Sequence, residues 1–229
     1  MNRELAMHLA KHPNVSVTFF VPKCSDEDKR VAGTDNVRIL EAKERPGFQP
    51  VDWLSFPPKD LVIDFVIGHG VVLGKPAQII RDSHHCKSMQ VVHTAPDELA
   101  MYKTYSDVIP KGEEKQWNEL KLCQMADIVV GVGPKLQEVY SAYLSSCGKD
   151  VYNFTPGIIT ELTSLKVSSQ LGKKFRILVF GRGDSDDFEL KGFDIAAQAV
   201  AKLNDKSYHL QYLCRGTQWK RNPSDKRVT

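Results

Sequence analysis

The 229-residue sequence contains no run of about 20 uncharged apolar residues, the length that crossing a bilayer demands. Its most apolar segment, Leu61 to Leu73, is interrupted by Asp64 and His69, which excludes a helical membrane span. Residues Met1 to His12 carry charges throughout and lack the unbroken apolar core and small-residue cleavage site of a secretory signal, which argues against export by that route. Cysteine is sparse and unpaired in pattern. The five cysteines, Cys24, Cys86, Cys123, Cys147 and Cys214, include no Cys-x-x-Cys pair, which argues against a disulfide framework and a zinc knuckle. A reducing compartment, hence a cytoplasmic location, is the expectation. Strong charge of one sign is also missing. Residues 215–229 hold five Lys or Arg and one Asp, so they more than account for the formal +3 and leave the remainder at −1. A nucleic-acid partner would rest on that basic tail alone, and none is expected.

What is present is an ordinary globular composition, 41% hydrophobic and 26% charged, sufficient for one domain or one and part of another. After a first amphipathic helix, Val15 to Val21 reads as a strand closed by Pro22, and Ser25-Asp26-Glu27-Asp28 as a capping box opening a short helix. Val37 to Leu40 is a second strand. The proline-rich stretch to Lys59 reads as a long loop or partly helical crossing.

From Leu61 the signal sharpens: a strand to Ile67, the turn Gly68-His69-Gly70, and a helix entered at Lys75-Pro76. Ser88 to His93 is the next strand, followed by helices starting at Pro96 and at Gly112. Ile128 to Val130 gives a further strand, Gly131 to Pro134 a turn, and Lys135 to Cys147 a helix stopped by Gly148. Beyond the polar linker Thr160 to Lys174, Arg176 to Phe180 forms a strand and Asp194 to Leu203 a helix with Ile195, Ala199 and Leu203 on one face. Tyr208 to Leu213 is expected as the last strand. Alternating elements with continuous apolar strands indicate an α/β fold with a Rossmann-like, mostly parallel sheet.

Three strand ends carry Gly-x-Gly: Gly68 to Gly70, Gly131 to Gly133 and Gly181 to Gly183. Such glycines let a backbone approach a phosphate or nucleotide, or merely permit a tight turn. The dinucleotide fingerprint is one residue too long at Gly68-x-Gly70-x-x-x-Gly74, and His93 and Thr94 stand where a ribose-binding acid would be, which disfavours a dehydrogenase. His69 and His93 both end strands, so they are candidates for phosphate or sugar hydrogen bonding or for proton transfer, or else packed turn residues. His84-His85-Cys86 and Asp184 to Asp187 read as solvated segments, and no metal site is expected.

The order of these segments resembles the family 4 (group 1) glycosyltransferases, which have the two-domain GT-B fold. Asn2 to Ala6 with Val15 to Pro22 resembles that family's first helix and second strand, and Val91-Val92-His93-Thr94 its active-site histidine strand. Ala126 to Gly133 is similar to its "AD-x-V-x-x-V-S" strand, with glycine for serine, and Pro156-Gly157-Ile158 stands where "PNG" is usual. Ile177 to Arg182 with Lys191-Gly192 is similar to the "GR…KG" pair that opens its nucleotide-binding domain.

The resemblance implies an N-terminal domain over 1–159 lacking its first strand, a linker over 160–174, a partial nucleotide-binding domain over 175–213 and a basic tail over 214–229. It implies a nucleotide sugar as donor substrate, an unknown acceptor, retention at the transferred carbon, and neither metal nor cofactor. His93 is then the catalytic candidate, Gly181, Arg182 and Lys191 the donor-binding group, and Gly68, His69 and Gly70 the acceptor or sugar side. Arg182 and Lys191 would stabilise the departing diphosphate, or else are surface charges paired with the acids around them. Because the family's first strand and its acidic "E-x(7)-E" element find no counterpart, the chain is expected to be weakly active or inactive. A non-catalytic binding module is the alternative. An open sheet edge would suit a homodimer or a partner strand.

Overall fold

Among the described residues every strand pairing is parallel, so the connection between paired strands is a crossover that must climb back over the sheet. The computed structural model describes residues 2–102, 107–157, 175–181, 191–203 and 208–214. These fall into two compact units, one drawn from 1–99 and 110–165, the other from 100–109 and 166–229.

The first unit opens with α1 (Asn2–Leu9), β1 (Val17–Val21), α2 (Asp26–Thr34) and β2 (Val37–Glu41). β1 and β2 pair from Val17 opposite Val37 to Val21 opposite Glu41. The expected capping box starts α2: Ser25 Oγ accepts the Asp28 N–H at 3.1 Å, and the Asp28 carboxylate accepts the Ser25 N–H at 2.9 Å. Two otherwise unsatisfied first-turn donors are thereby paired. A single helical turn, α3 (Pro50–Trp53), interrupts the crossing that follows.

A four-stranded sheet then builds in strict chain order from β3 (Phe65–His69), β4 (Lys87–Val92), β5 (Ile128–Val132) and β6 (Val151–Phe154). Its crossovers are α4 (Gly70–His84), the pair α5 (Pro96–Ala100) and α6 (Val108–Met125), and α7 (Pro134–Leu144) with a short 3-10 turn to Cys147. Val92, Cys123, Ala126, Val129, Tyr140, Leu144 and Val151 form the core, where β4, β5 and β6 meet α6 and α7. Each fully buried large side chain there contributes about 1.5–3 kcal/mol. Asp127 ties the opposite end together, accepting from Arg81 Nε and from the Ser88 N–H, both at 2.9 Å. The Asp of the "AD-x-V" segment is therefore a joint between α4, β4 and the start of β5.

Four expectations are corrected. The apolar run from Leu61 becomes strand only at Phe65, and Val62 is 88% exposed. The strand reaches His69, so Gly68 and His69 are strand residues and α4 begins at Gly70 instead of Lys75. Gly70 turns the chain at φ +59°, a conformation open to glycine, which makes the longer approach to Pro76 unnecessary. Likewise β5 runs through Gly131 to Val132 because α7 packs on a strand with no side chain at Gly131, where a Cβ would come within 2.6 Å of the Gln137 amide. β6 is a strand that no sequence signal announces.

The second unit contains β7 (Phe175–Gly181) and β8 (Tyr208–Cys214), paired in register throughout, with α8 (Phe193–Leu203) between them. Here the face shared by Ile195, Ala199 and Leu203 is the exposed one: Ile195 is 67% and Leu203 52% exposed, and Ala199 is exposed as well. Phe193 is fully buried instead, and Ala196, Ala197 and Val200 turn partly inward with it. The niche for its ring is Gly181, where a Cβ would stand 3.2 Å from Phe193 Cζ. The expected linker and nearly all of the tail lie outside the described residues. Among the described residues no helix is long and apolar enough to cross a membrane.

Candidate functional site

Parallel strands direct their carboxyl ends to one edge, and β3 and β4 bring two histidines there. His69 ends β3 opposite Val91, and His93 follows the last residue of β4. Their rings stack at 5.1 Å with His69 Nδ1 2.9 Å from His93 Nε2. Both are half-buried. Burial and the neighbouring His93 push His69 down to about 4, and burial lowers His93 as well, so both rings are neutral at neutral pH.

That neutrality fixes the chemistry of the pair. One nitrogen of the close contact carries the proton and the other accepts it. Whichever way the proton lies, the two outer nitrogens, Nε2 of His69 and Nδ1 of His93, are then one donor and one acceptor. A hydroxyl, which both donates and accepts, matches such a pair more fully than a phosphate, which only accepts.

Hydrogen bonds among neighbouring residues brace the backbone that carries the pair. The Tyr140 hydroxyl on α7 donates to the Thr94 carbonyl at 3.0 Å, pinning the residue after His93. Gln90 on β4 donates through Nε2 to the Gly70 carbonyl at 3.0 Å and to Glu119 Oε1 on α6 at 2.6 Å. The Glu119 carboxyl also faces the Val71 N–H in the first turn of α4, which favours its charged form, but burial outweighs this and pushes its pKa up to about 7. Room for the Gln90 amide comes from Gly74, where a Cβ would stand 2.5 Å from Gln90 Oε1. Gly68 lets α4 close on β3, since a Cβ there would meet the Gly74 Cα at 2.8 Å.

Of the residues singled out in the sequence, Gly68, His69, Gly70 and His93 thus come together. Gln90 and Glu119 are additions that the structure makes. Their signal was a glutamine inside the apolar strand Ser88 to Val92, and a buried stripe on α6, Gly112, Gln116, Glu119, Leu122 and Cys123, that carries two polar residues. In the second unit, Gly181 ends β7 and Lys191 stands exposed on the turn into α8, two residues before the Phe193 ring that packs on Gly181. Arg182, like Asp184 to Asp187, lies outside the described residues.

The remaining candidates have other occupations. His84 bonds Ser83 Oγ through Nδ1 and the Pro58 carbonyl through Nε2, while His85 ends α4 in a left-handed conformation. Cys24, Cys86, Cys123 and Cys147 are free thiols. Among the described residues no group of three or more His, Cys, Asp or Glu side chains is arranged to hold a metal ion.

No curated protein matches the sequence. A family described as "Family 4 Glycosyltransferase in conflict systems" matches residues 1–227, essentially the whole chain. The α/β architecture with its all-parallel sheet is consistent with that assignment. On a match of this extent, the glycosyltransferase-like chain described here belongs to the family 4 glycosyltransferases of conflict systems.

Proposed function

We propose that the chain binds a nucleotide sugar and takes part in transfer of its sugar to an acceptor, with the His69–His93 pair receiving sugar or acceptor hydroxyls. The observation that carries this reading is the 2.9 Å contact between two neutral imidazoles at the carboxyl edge of a parallel sheet, which leaves one donor and one acceptor on the two nitrogens outside that contact. His93 is the residue assigned to the reacting sugar, where a neutral imidazole can hydrogen-bond a hydroxyl without adding charge. The departing diphosphate, by contrast, needs cations and amide donors. Those are assigned to Arg182, Lys191 and the backbone at Gly181, consistent with an exposed lysine at the turn into α8. Transfer with retention and without a metal is the mechanism proposed, in keeping with the family.

The test is a panel of nucleotide sugars, read by thermal shift and by radiolabelled transfer. A donor at about 100 times its Kd stabilises the fold by roughly 2.7 kcal/mol. His93→Ala and His69→Ala are expected to weaken donor binding or transfer at least about tenfold, the worth of a lost hydrogen bond in a desolvated site. Stabilisation without transfer would identify a sugar-nucleotide binding module in place of an enzyme. No stabilisation by any member of the panel would refute the reading.

A further inference from the structure

The Gln90–Glu119 pair is costly to bury. Both side chains are 3% exposed, and taking a carboxyl group that deep disfavours its charged form, whereas a well-packed apolar pair would hold the same elements at no such cost. Its contacts are nonetheless fully specified. The two protons of Gln90 Nε2 go to the Gly70 carbonyl and to Glu119 Oε1, and the Glu119 carboxyl faces the Val71 N–H. Gly70 and Val71 follow His69 directly in the chain. Gln90 pairs with Gly68 across the sheet and precedes by three positions His93, the residue that follows the same strand. One polar cluster therefore grips the backbone on the far side of His69 and the strand that carries His93.

We propose that Glu119, acting through Gln90 and the Gly70–Val71 turn, is a positioning residue that sets the His69–His93 pair. The Val71 N–H is one of the first-turn donors that a helix leaves unsatisfied and that elsewhere receives phosphate. Here the chain's own Glu119 carboxyl faces it. Glu119 thus does two things at once: it fixes the turn from which His69 projects, and it closes that turn to anions, leaving the edge to neutral hydroxyls. Gly74 belongs to the same device, because any side chain there would displace the Gln90 amide. The consequence for sugar hydroxyls rests on the function proposed above; the geometric claim about the two rings does not.

The two claims separate in one experiment on the full chain with 15N-labelled histidine. The wild type is expected to show a hydrogen-bond cross-peak between the two imidazoles and a depressed proton affinity at His69. Glu119→Gln presents an amide N–H toward one of the two donors, and Gln90→Asn retracts the amide by one methylene with its polarity kept. In both, the cross-peak is expected to disappear and the proton affinity of His69 to rise at least about tenfold toward its ordinary value. Rings unchanged in both folded variants would overturn the positioning role, whatever the protein binds. Should Glu119→Gln fail to fold, Gln90→Asn alone decides. Altered rings in a protein that binds no nucleotide sugar would refute the proposed function and leave the positioning role standing.

Discussion

Replacing Gly74 with alanine sets two effects of opposite sign against each other. Alanine is the better helix residue by about 1 kcal/mol in an exposed helix interior, and α4 is helical at this position. The added methyl would, however, stand 2.5 Å from Gln90 Oε1, and 2.9 Å from both Gln90 Nε2 and Leu122 Cδ1. Overpacking of this kind costs about 1–3 kcal/mol. Moving the amide also deprives the Gly70 carbonyl and the Glu119 carboxylate of their partner, a further loss of about 1–3 kcal/mol for buried groups. The net expectation is a destabilisation of about 3 kcal/mol, or a fall in Tm of roughly 6–12 °C for a chain of this size. Chemical denaturation monitored by circular dichroism measures it directly. A double-mutant cycle isolates the cause: in a Gln90→Ala background the clash with the amide is gone, so Gly74→Ala is expected to cost at least about 1 kcal/mol less. A Gly74→Ala protein as stable as the wild type, or an identical cost in both backgrounds, would refute the packing argument.

Gly33 provides the converse. It lies in α2 with nothing within 4 Å of the position a Cβ would take, so Gly33→Ala is expected to raise stability by about 0.4–1 kcal/mol in the same assay. Asp127→Asn keeps an acceptor for the Ser88 N–H but loses the charge facing Arg81. Because Arg81 and the Ser88 N–H hold Asp127 down to about 2 from an ordinary 3.8, its contribution is present above pH 3.8 and lost as pH falls through 2. The substitution is therefore expected to cost about 1 kcal/mol near neutrality, as befits a pair about one-third exposed, and nothing below pH 2. Glu119 and His69 oppose one another in the pH profile. Glu119, raised from 4.5 to about 7, erodes stability as pH rises through that interval, whereas His69, lowered from 6.5 to about 4, adds stability as pH rises from 4 to 6.5. Glu119→Gln removes the opposing carboxyl limb and, with the proton affinity of His69 raised at least about tenfold as expected above, is expected to leave a rise of at most about 2 kcal/mol between pH 5 and 6.5 in urea titrations; an unaltered profile would contradict it.

Local signals are the most legible in this sequence. The Ser25 to Asp28 capping box, the β-branched runs of β1, β2, β4 and β7, and the left-handed stop at Gly148 each declare themselves within a few residues. So does the convergence of His69 and His93, because parallel strands must end on one edge. β6 is hidden because Val151 to Phe154 is short and exposes Tyr152 and Asn153, so no periodicity marks it. The start of α4 is masked because proline at a first turn is a strong cue, and a glycine at positive φ that makes the earlier entry leaves no comparable mark. The buried face of α8 depends on a niche at Gly181, twelve residues before Phe193, and the Gln90–Glu119 contact spans 29 positions. Neither can be read from a window of neighbouring residues. The family resemblance leads to the same assignment by another route, through the order of segments instead of their geometry.

The strict chain order of β3, β4, β5 and β6 also prescribes how this sheet is assembled. Each strand docks on the one synthesised just before it, so the sheet can grow from a single edge as the chain leaves the ribosome, with no strand waiting for a later one to be inserted beside it. Loop closure is unequal among the three steps. Joining β3 to β4 and β5 to β6 each encloses one helix, whereas pairing Met89 with Ile128 encloses both α5 and α6. The entropic cost of closure is greatest there. Docking of α6 and β5 onto β4 is therefore expected to be the slowest of the three closures, and it is the same event that delivers Glu119 to Gln90.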